Sequence, residues 1–312
     1  MAQHCSLQIT ELGPLLEQLA AGRERLEQLI NQLSGLHIRV ELPGMDASEL
    51  ELTLAGQELI LRRKPEKATG AERQRIPVIA EDARMRIAAG LARSMADEDA
   101  AVLIQGATGT GKSLFARLIH HQGKRTDGPL VSVPCSLLNQ PDGMTRWLEF
   151  RRAADNGTLI LEDMEELEPA AQQTLSRLLQ QPAACRLISL TCADPDELVR
   201  RKEFSPALLE QLRHCHICLP DLSRRGADIE LLARHYCRQL CVDENLEEKH
   251  LAPEYLDLLA LYSWPGNVRE LINTLKQSLL CCRNQKTLYA RDLPAHIRMQ
   301  TLPLAAARKK GL

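Results

Sequence analysis

The residues Gly106-Ala107-Thr108-Gly109-Thr110-Gly111-Lys112-Ser113 put flexible backbone, one cation and a terminal hydroxyl into a single short loop. Glycines let main-chain N–H groups turn inward and close around an anion, while the lysine reaches further along a polyphosphate. The loop follows the apolar run AVLIQ and leads into SLFARLIHH, so a strand hands over to a helix whose N-terminus adds its positive end. Strand, spacing, Lys-Ser pair and helix together make the P-loop pattern in its required context. The chemistry expected is binding of ATP or ADP. Loop amides would hold the β-phosphate, Lys112 the β- and γ-phosphates and Ser113 a Mg²⁺ ion, with Leu114 carrying the site into the helix.

A second constellation lies in NGTLILEDMEE, where an apolar strand runs straight into Glu162 and Asp163. Two carboxylates at a strand end suit the management of a metal ion and a water beside a nucleotide. A different metal chemistry is open to Cys215 and Cys218 (HCHIC) and Cys237 and Cys241 (HYCRQLC), which could supply four zinc ligands. Against it, positions three apart on a strand face opposite sides, while Cys237 and Cys241 share one helical face.

The elements that must position these groups follow from periodicity. A helix is expected from Glu81 to about Ala96, then strand AVLIQ, a helix from Lys112, strands LVSVP and TLILE, a helix from Pro169 to Leu179 and strand RLISLT. Such alternation predicts an α/β fold, a parallel sheet with helices on both faces. After Asp221 only helices are expected, ending near Leu304. Upstream, leucines from Leu12 to Leu36 keep the spacing of an amphipathic helix, which either packs internally or associates with a partner. From His37 the runs IRVEL, LELTL and ELILRR alternate like short antiparallel strands. Residues 38 to 63 resemble a fragment of the α-crystallin domain through generic strand grammar, which carries no chaperone activity with it. Lys64 to Arg75 reads as a linker. The expected division is 1–75, a small α+β segment with linker; 76–221, the α/β nucleotide-binding part; and 222–312, an all-α part and tail.

Composition removes several function classes. At 312 residues and 44% hydrophobic content the chain can bury a full core, and its formal charge of −2 provides no chain-wide field for DNA or membrane. Aromatics make up 3%, too few for base-stacking platforms. No window reaches the roughly 18 to 20 apolar residues of a membrane span, and MAQHCSLQITELG has no leader pattern, so a cytoplasmic location is expected. In that setting the ten cysteines are expected to be reduced, mostly buried thiols.

The motifs NGTLILEDMEELEPAAQQTLSRLLQ, RLISLTCADPDEL, FSPALLEQLRHCHICLPDLSRRGADIELLARHYC and YSWPGNVRELINTLKQSLL resemble, in order, the AAA+ domain of the sigma-54-dependent transcriptional activators (bacterial enhancer-binding proteins). The resemblance covers about residues 78 to 295 and implies a P-loop AAA+ sheet followed by a helical lid. It places Arg269 of WPGNVREL as the lid sensor of the γ-phosphate, Thr191 at the first sensor position, and Val78 and Ile79 against adenine.

Four departures from the family pattern bear on hydrolysis and on partners. The family's acids run Asp then Glu, the first helping to hold Mg²⁺ and the second activating the water; here they are reversed, so the resemblance puts Glu162 on the metal side with Ser113 and Asp163 on the water side, each carboxylate shifted by about one C–C bond, roughly 1 to 1.5 Å. A displacement of about 1 Å costs on the order of 10²-fold in rate. The two arginine-finger positions hold Ser205 and Gln211, and a finger is worth roughly 10³ to 10⁵ in turnover. Arg200, Arg201 and Arg213 are the nearby arginines that could substitute. The polar switch residue aligns with Pro134, which cannot restrain an acid. The GAFTGA loop that engages sigma-54 is missing, CSLLNQPDGMTRWLEFRRAADNGT running almost directly to the acid pair, and no helix-turn-helix for DNA follows Arg291. The expected function is an ATP-binding regulatory protein with weak or no hydrolysis. It would assemble with itself or with a related AAA+ protein, with sigma-54 machinery as partner by resemblance and with no membrane or DNA-binding role. The alternatives are a slow ATPase that remodels a client and a zinc-stabilised interaction protein with a vestigial P-loop.

Overall fold

The computed structural model describes residues 50–55, 58–63, 78–180, 184–282 and 285–309. The chain divides into two compact units, Met1–Glu72 and Arg73–Leu312. In the first unit, β1 (Leu50–Ala55) and β2 (Glu58–Arg63) pair antiparallel from Leu50↔Arg63 to Ala55↔Glu58, as the alternating runs predict. The amphipathic segment 12–36, the run IRVEL and the linker 64–75 lie outside the described residues.

The second unit is built on a sheet of five parallel strands in the order β4-β5-β6-β3-β7. They are β3 (Val102–Gln105), β4 (Leu130–Pro134), β5 (Thr158–Glu162), β6 (Arg186–Thr191) and β7 (Cys215–Cys218). The strands are short and apolar because both faces are covered. Strand period then sorts the core: Val102, Ile104, Ile160, Ile188 and Ile217 pack on one face with α1 (Ala83–Ala96) and α2 (Lys112–Gln122). Leu103, Val133, Leu159 and Leu161 pack on the other with α3 (Gly143–Ala153), α4 (Pro169–Leu179) and α6 (Pro206–Leu212). The small α5 (Pro195–Arg200) follows β6, its first turn capped by Asp194.

Helix α1 starts where Asp82 accepts the Arg84 N–H and presents Ala88, Ala89 and Ala92 to the sheet, small residues that let it approach closely. The third core is all-helical: α7 (Gly226–Asp243), α8 (Pro253–Leu261), α9 (Asn267–Cys281) and α10 (Ala295–Lys309) gather around Trp264, Tyr255 and Leu271. Three details differ from the sequence expectation. Helix α3 stands between β4 and β5 where a nearly direct connection was expected. A parallel pair, β8 (His250–Leu251) with β9 (Thr287–Leu288), joins the lid helices. Helix α10 continues past Leu304 to Lys309 with Pro303 inside it.

Candidate functional site

In a doubly wound sheet, ligands sit outside the carboxyl ends of the strands where strand order reverses. Strand β3 lies between β6 and β7, and the P-loop leaves its carboxyl end. Register brings its neighbours level: Gln105 pairs with Thr191, and Leu161 with Ser189. The P-loop, the acid pair and the end of β6 therefore converge.

A cavity of about 430 Å³ opens there, bounded by Thr108 to Phe115, by Glu162 and Asp163, and by Arg269 from the lid. Val78, Ile79, Leu232, His235 and Tyr236 also line it. Residues Thr108, Gly109, Thr110, Gly111, Lys112, Ser113 and Leu114 all line it. Gly106 and Ala107, the first residues of the loop, do not line this cavity; they line a separate depression with Cys192, His216 and Cys218. Thr191 is fully buried; its hydroxyl closes a local turn with Ala193, and its carbonyl accepts the Gly106 N–H at 3.1 Å.

The loop conformation requires its glycines. Gly109 (φ 80) and Gly111 (φ 110) occupy the left-handed region, and a Cβ on Gly109 would meet the Gly266 carbonyl at 2.3 Å. Gly111 caps α2 without a side-chain hydrogen bond, so no side chain competes for the N–H groups of the first turn. Lys112 Nζ donates to Gly106 O at 2.7 Å, closing the loop on itself.

The lid grips the opposite side of the same peptides. Asn267 Nδ2 donates to Thr108 O at 3.0 Å, Val268 N to Gly109 O at 3.0 Å, and Arg225 to Thr110 O at 3.3 Å. Asn267 Oδ1 in turn accepts the Leu222 N–H at 2.7 Å. Arg225 is 2% exposed and faces Asp228 at 3.9 Å, whose Oδ1 accepts the Glu81 and Asp82 N–H groups. Arg225, Asp228 and Asn267 were not identified from sequence. Asn267 carried the only local signal, its place inside WPGNVREL.

The two acids differ in setting. Glu162 ends β5, and its Oε1 accepts a 2.6 Å hydrogen bond from Ser132 Oγ on β4. Pro134 contributes no polar side chain, and the contact that β4 does make goes to Glu162, the first acid, rather than to Asp163. Pro134 pairs with Glu162 across the sheet, and Ser132, two residues back on the same face, is within reach of the long glutamate. Asp163 takes a left-handed conformation (φ 53). Burial, then Glu165 and Glu166, push its carboxyl above the usual range, with Lys112 opposing. Ser113 and Glu162 are oxygen donors on one cavity, a set that fits a hard ion such as Mg²⁺.

The two finger positions, which in the family serve the neighbouring subunit's site, carry no cation here. Ser205 caps α6, and Gln211 accepts from Ser176 Oγ at 3.1 Å. Arg200 and Arg201 pair with Glu197 at 2.6 and 2.8 Å, and Arg213 with Asp196 at 2.6 Å. The four-cysteine zinc alternative is overturned. Cys215 and Cys218 lie on β7, whereas Cys237 and Cys241 are buried in the lid core, where burial raises the Cys237 thiol to about 12. Among the described residues, the one group of three potential ligands is Asp163, Glu165 and Cys192. No helix among them is long and apolar enough to cross a membrane.

Residues 83–222 match the family model of the Sigma-54 interaction domain, and residues 223–310 that of the AAA+ ATPase lid domain. The chain is 33% identical over 230 residues to Transcriptional regulatory protein ZraR of Salmonella typhimurium, covering 65% of this chain and 52% of that protein. It is 31% identical over 260 residues to the Nif-specific regulatory protein of Rhizobium meliloti, covering 73% and 48%. The chain thus spans about half the length of the curated relatives it matches. The crystal structure of NtrX from Brucella abortus in complex with ATP shares the fold, with a TM-score of 0.65 and 23% identity over 77% of this chain and 61% of that one. The chain is thus related to sigma-54-dependent transcriptional regulators, with a Sigma-54 interaction domain over residues 83–222 and an AAA+ ATPase lid domain over residues 223–310.

Proposed function

We propose that this chain is a nucleotide-binding regulatory protein of the sigma-54 system. It holds ATP or ADP with Mg²⁺, hydrolyses ATP weakly or not at all, and uses the bound state to control assembly with itself or with a related AAA+ protein. The observation that carries this reading is the lid's grip on the Thr108, Gly109 and Thr110 carbonyls. The Thr110 N–H is engaged by Ala107 O at 3.2 Å, so the Gly109 and Gly111 N–H groups, on the Thr108 and Thr110 peptides, are the ones left for phosphate; an anion there polarises those two carbonyls, and each hydrogen bond strengthens the one across the peptide. Nucleotide and lid thereby support each other, and Arg269 on the same cavity adds a charge for the terminal phosphate. Solved complexes of NtrX with ATP and with ADP support the choice of ligand.

Weak turnover follows from the acid order, from Ser132 engaging the metal-side carboxylate, and from Ser205 and Gln211 at the finger positions. The sequence from Cys135 to Gly157 carries no GAFTGA motif, so the chain would tune a competent activator rather than drive sigma-54 itself. The relatives' names as transcriptional regulators support that setting, and a cytoplasmic location goes with it.

Nucleotide affinity and turnover measured on one preparation, with Lys112→Ala as blank, test the proposal. The expected result is binding that Lys112→Ala abolishes, with parent turnover at the blank's level. Lys112-dependent turnover near 1 s⁻¹, the lower edge of ordinary enzyme rates, would establish the slow ATPase instead.

A further inference from the structure

Beside the phosphate loop, two strand ends bring Asp163 of the acid pair together with Glu165 and Cys192, two donors that the nucleotide reading does not use. Asp163 and Glu165 follow β5 and Cys192 follows β6; one ligand atom from each lies within 4.8 Å of the other two. Cys192 Sγ is 3.9 Å from Asp163 Oδ1. A tetrahedral zinc ion, with bonds of about 2.3 Å to sulfur and 2.0 Å to oxygen, holds such a pair about 3.5 Å apart. Closing the pair onto a cation therefore takes a few tenths of an ångström.

A second, independent feature points to a ligand. Glu165 is oriented by the Cys192 N–H, which donates to its Oε1 at 2.9 Å. Its Oε2 is occluded from solvent and accepts no hydrogen bond. A buried carboxylate oxygen without a partner is costly, and a cation is the partner the surrounding donors suit. Main-chain geometry thus holds the glutamate with one oxygen spare, next to a thiol and a second carboxylate.

We propose that Asp163, Glu165 and Cys192 form a binding site for a thiophilic divalent cation of the zinc class. One thiolate and two carboxylates select against Mg²⁺, which takes oxygen ligands alone and keeps its waters. Binding releases the thiol proton to solvent. Three protein ligands leave a fourth position for water or a phosphate oxygen, the arrangement of an exchangeable site rather than a closed structural one. Cys192 Sγ also lies 3.8 Å from Thr108 Oγ1, so a cation held here stands against the phosphate loop.

The test uses the reduced, nucleotide-free full chain, so it does not depend on whether ATP binds. Zn²⁺ is titrated against a chelating dye, and Co²⁺ is used as a probe for thiolate-to-metal absorption. The expected result is one ion per chain that an excess of Mg²⁺ does not displace, with a cobalt–thiolate band. Cys192→Ser should abolish the band and weaken Zn²⁺ binding by more than about tenfold, and Glu165→Gln should weaken it by about 10- to 100-fold. Cys218→Ser serves as the control, because Cys218 is an exposed thiol whose Sγ lies 3.5 Å from His216 Nε2, a pair that could bind the ion elsewhere. A band that survives Cys192→Ser or disappears with Cys218→Ser, or Zn²⁺ binding no tighter than Mg²⁺ binding, would overturn the proposal.

Discussion

Glu162 and Asp163 are adjacent and differ by one methylene, yet the sheet gives them separate tasks. Ser132 holds Glu162 at the strand end through a 2.6 Å bond, and Asp163 turns away in a left-handed conformation beside Glu165. In the proposed function, Ser132 competes with Mg²⁺ for the metal-side carboxylate. A net hydrogen bond of this kind is worth about 0.5 to 1.5 kcal/mol. Ser132→Ala should therefore tighten ATP binding about 2- to 10-fold in the presence of Mg²⁺ and leave Mg²⁺-free binding unchanged. Calorimetric titration of parent and variant with and without the metal checks this, and equal gains in both conditions would refute it. Exchanging the acids, Glu162→Asp with Asp163→Glu, should leave turnover near the Lys112→Ala level, because Ser205 and Gln211 supply no guanidinium; a clear rise would show that an arginine reaches the site from elsewhere.

At the scale of elements, two helix ends decide how the phosphate loop is held. Helix α9 begins with Asn267 in the left-handed region (φ 52), a conformation asparagine tolerates better than most residues. Its amide ties the loop at Thr108 to the Leu222 N–H. Asn267→Ala leaves that buried N–H without a partner and should destabilise the unit by about 1 to 3 kcal/mol. It should also shrink the rise in Tm that saturating nucleotide produces; a full ligand-induced shift in the variant would show that the lid does not sense the loop.

Helix α2 ends against the sheet through His120, whose Nδ1 lies 2.9 Å from Thr158 Oγ1. Burial, then His121 and Arg186, lower its pKa to about 4. The folded value lies below the unfolded one of about 6.5, so the unfolded chain takes up the proton first. The stabilisation is complete above about pH 6.5 and is lost as pH falls toward 4, by on the order of 2 kcal/mol. Urea unfolding at pH 7.5 and pH 5 should show a smaller pH effect in His120→Gln than in the parent.

At the scale of the whole molecule, the prediction concerns assembly. Sedimentation velocity should show larger species with ATP than without, and Lys112→Ala should remove the difference. Identical profiles would refute nucleotide control of assembly while leaving nucleotide binding itself in place. The lid would be the element that transmits occupancy, because its helices pack on one core around Trp264 and Leu271 and touch the loop through Asn267, Val268 and Arg225.

Local spacing made much of this protein legible. The glycine loop from Gly106 to Gly111, Lys112 and Ser113, the acids after TLILE and the alternation of strands and helices are all contiguous patterns, and local backbone sterics and hydrophobic period are properties of short segments. Arg269 could be placed beside the loop only through the resemblance of WPGNVREL to the family's lid motif, since taken alone it reads equally as a surface helix charge. Tertiary structure alone brought Ser132 to Glu162, Arg225 to Thr110 and Cys192 to Asp163 and Glu165. Each of these meetings depends on the register of neighbouring parallel strands or on the seating of the lid, and neither is written in the spacing of any one segment. For the same reason Thr191, assigned a position from its motif, has its hydroxyl committed to Ala193 rather than lining the cavity, and the cysteines that looked paired along the chain ended on a sheet and in a separate helical core.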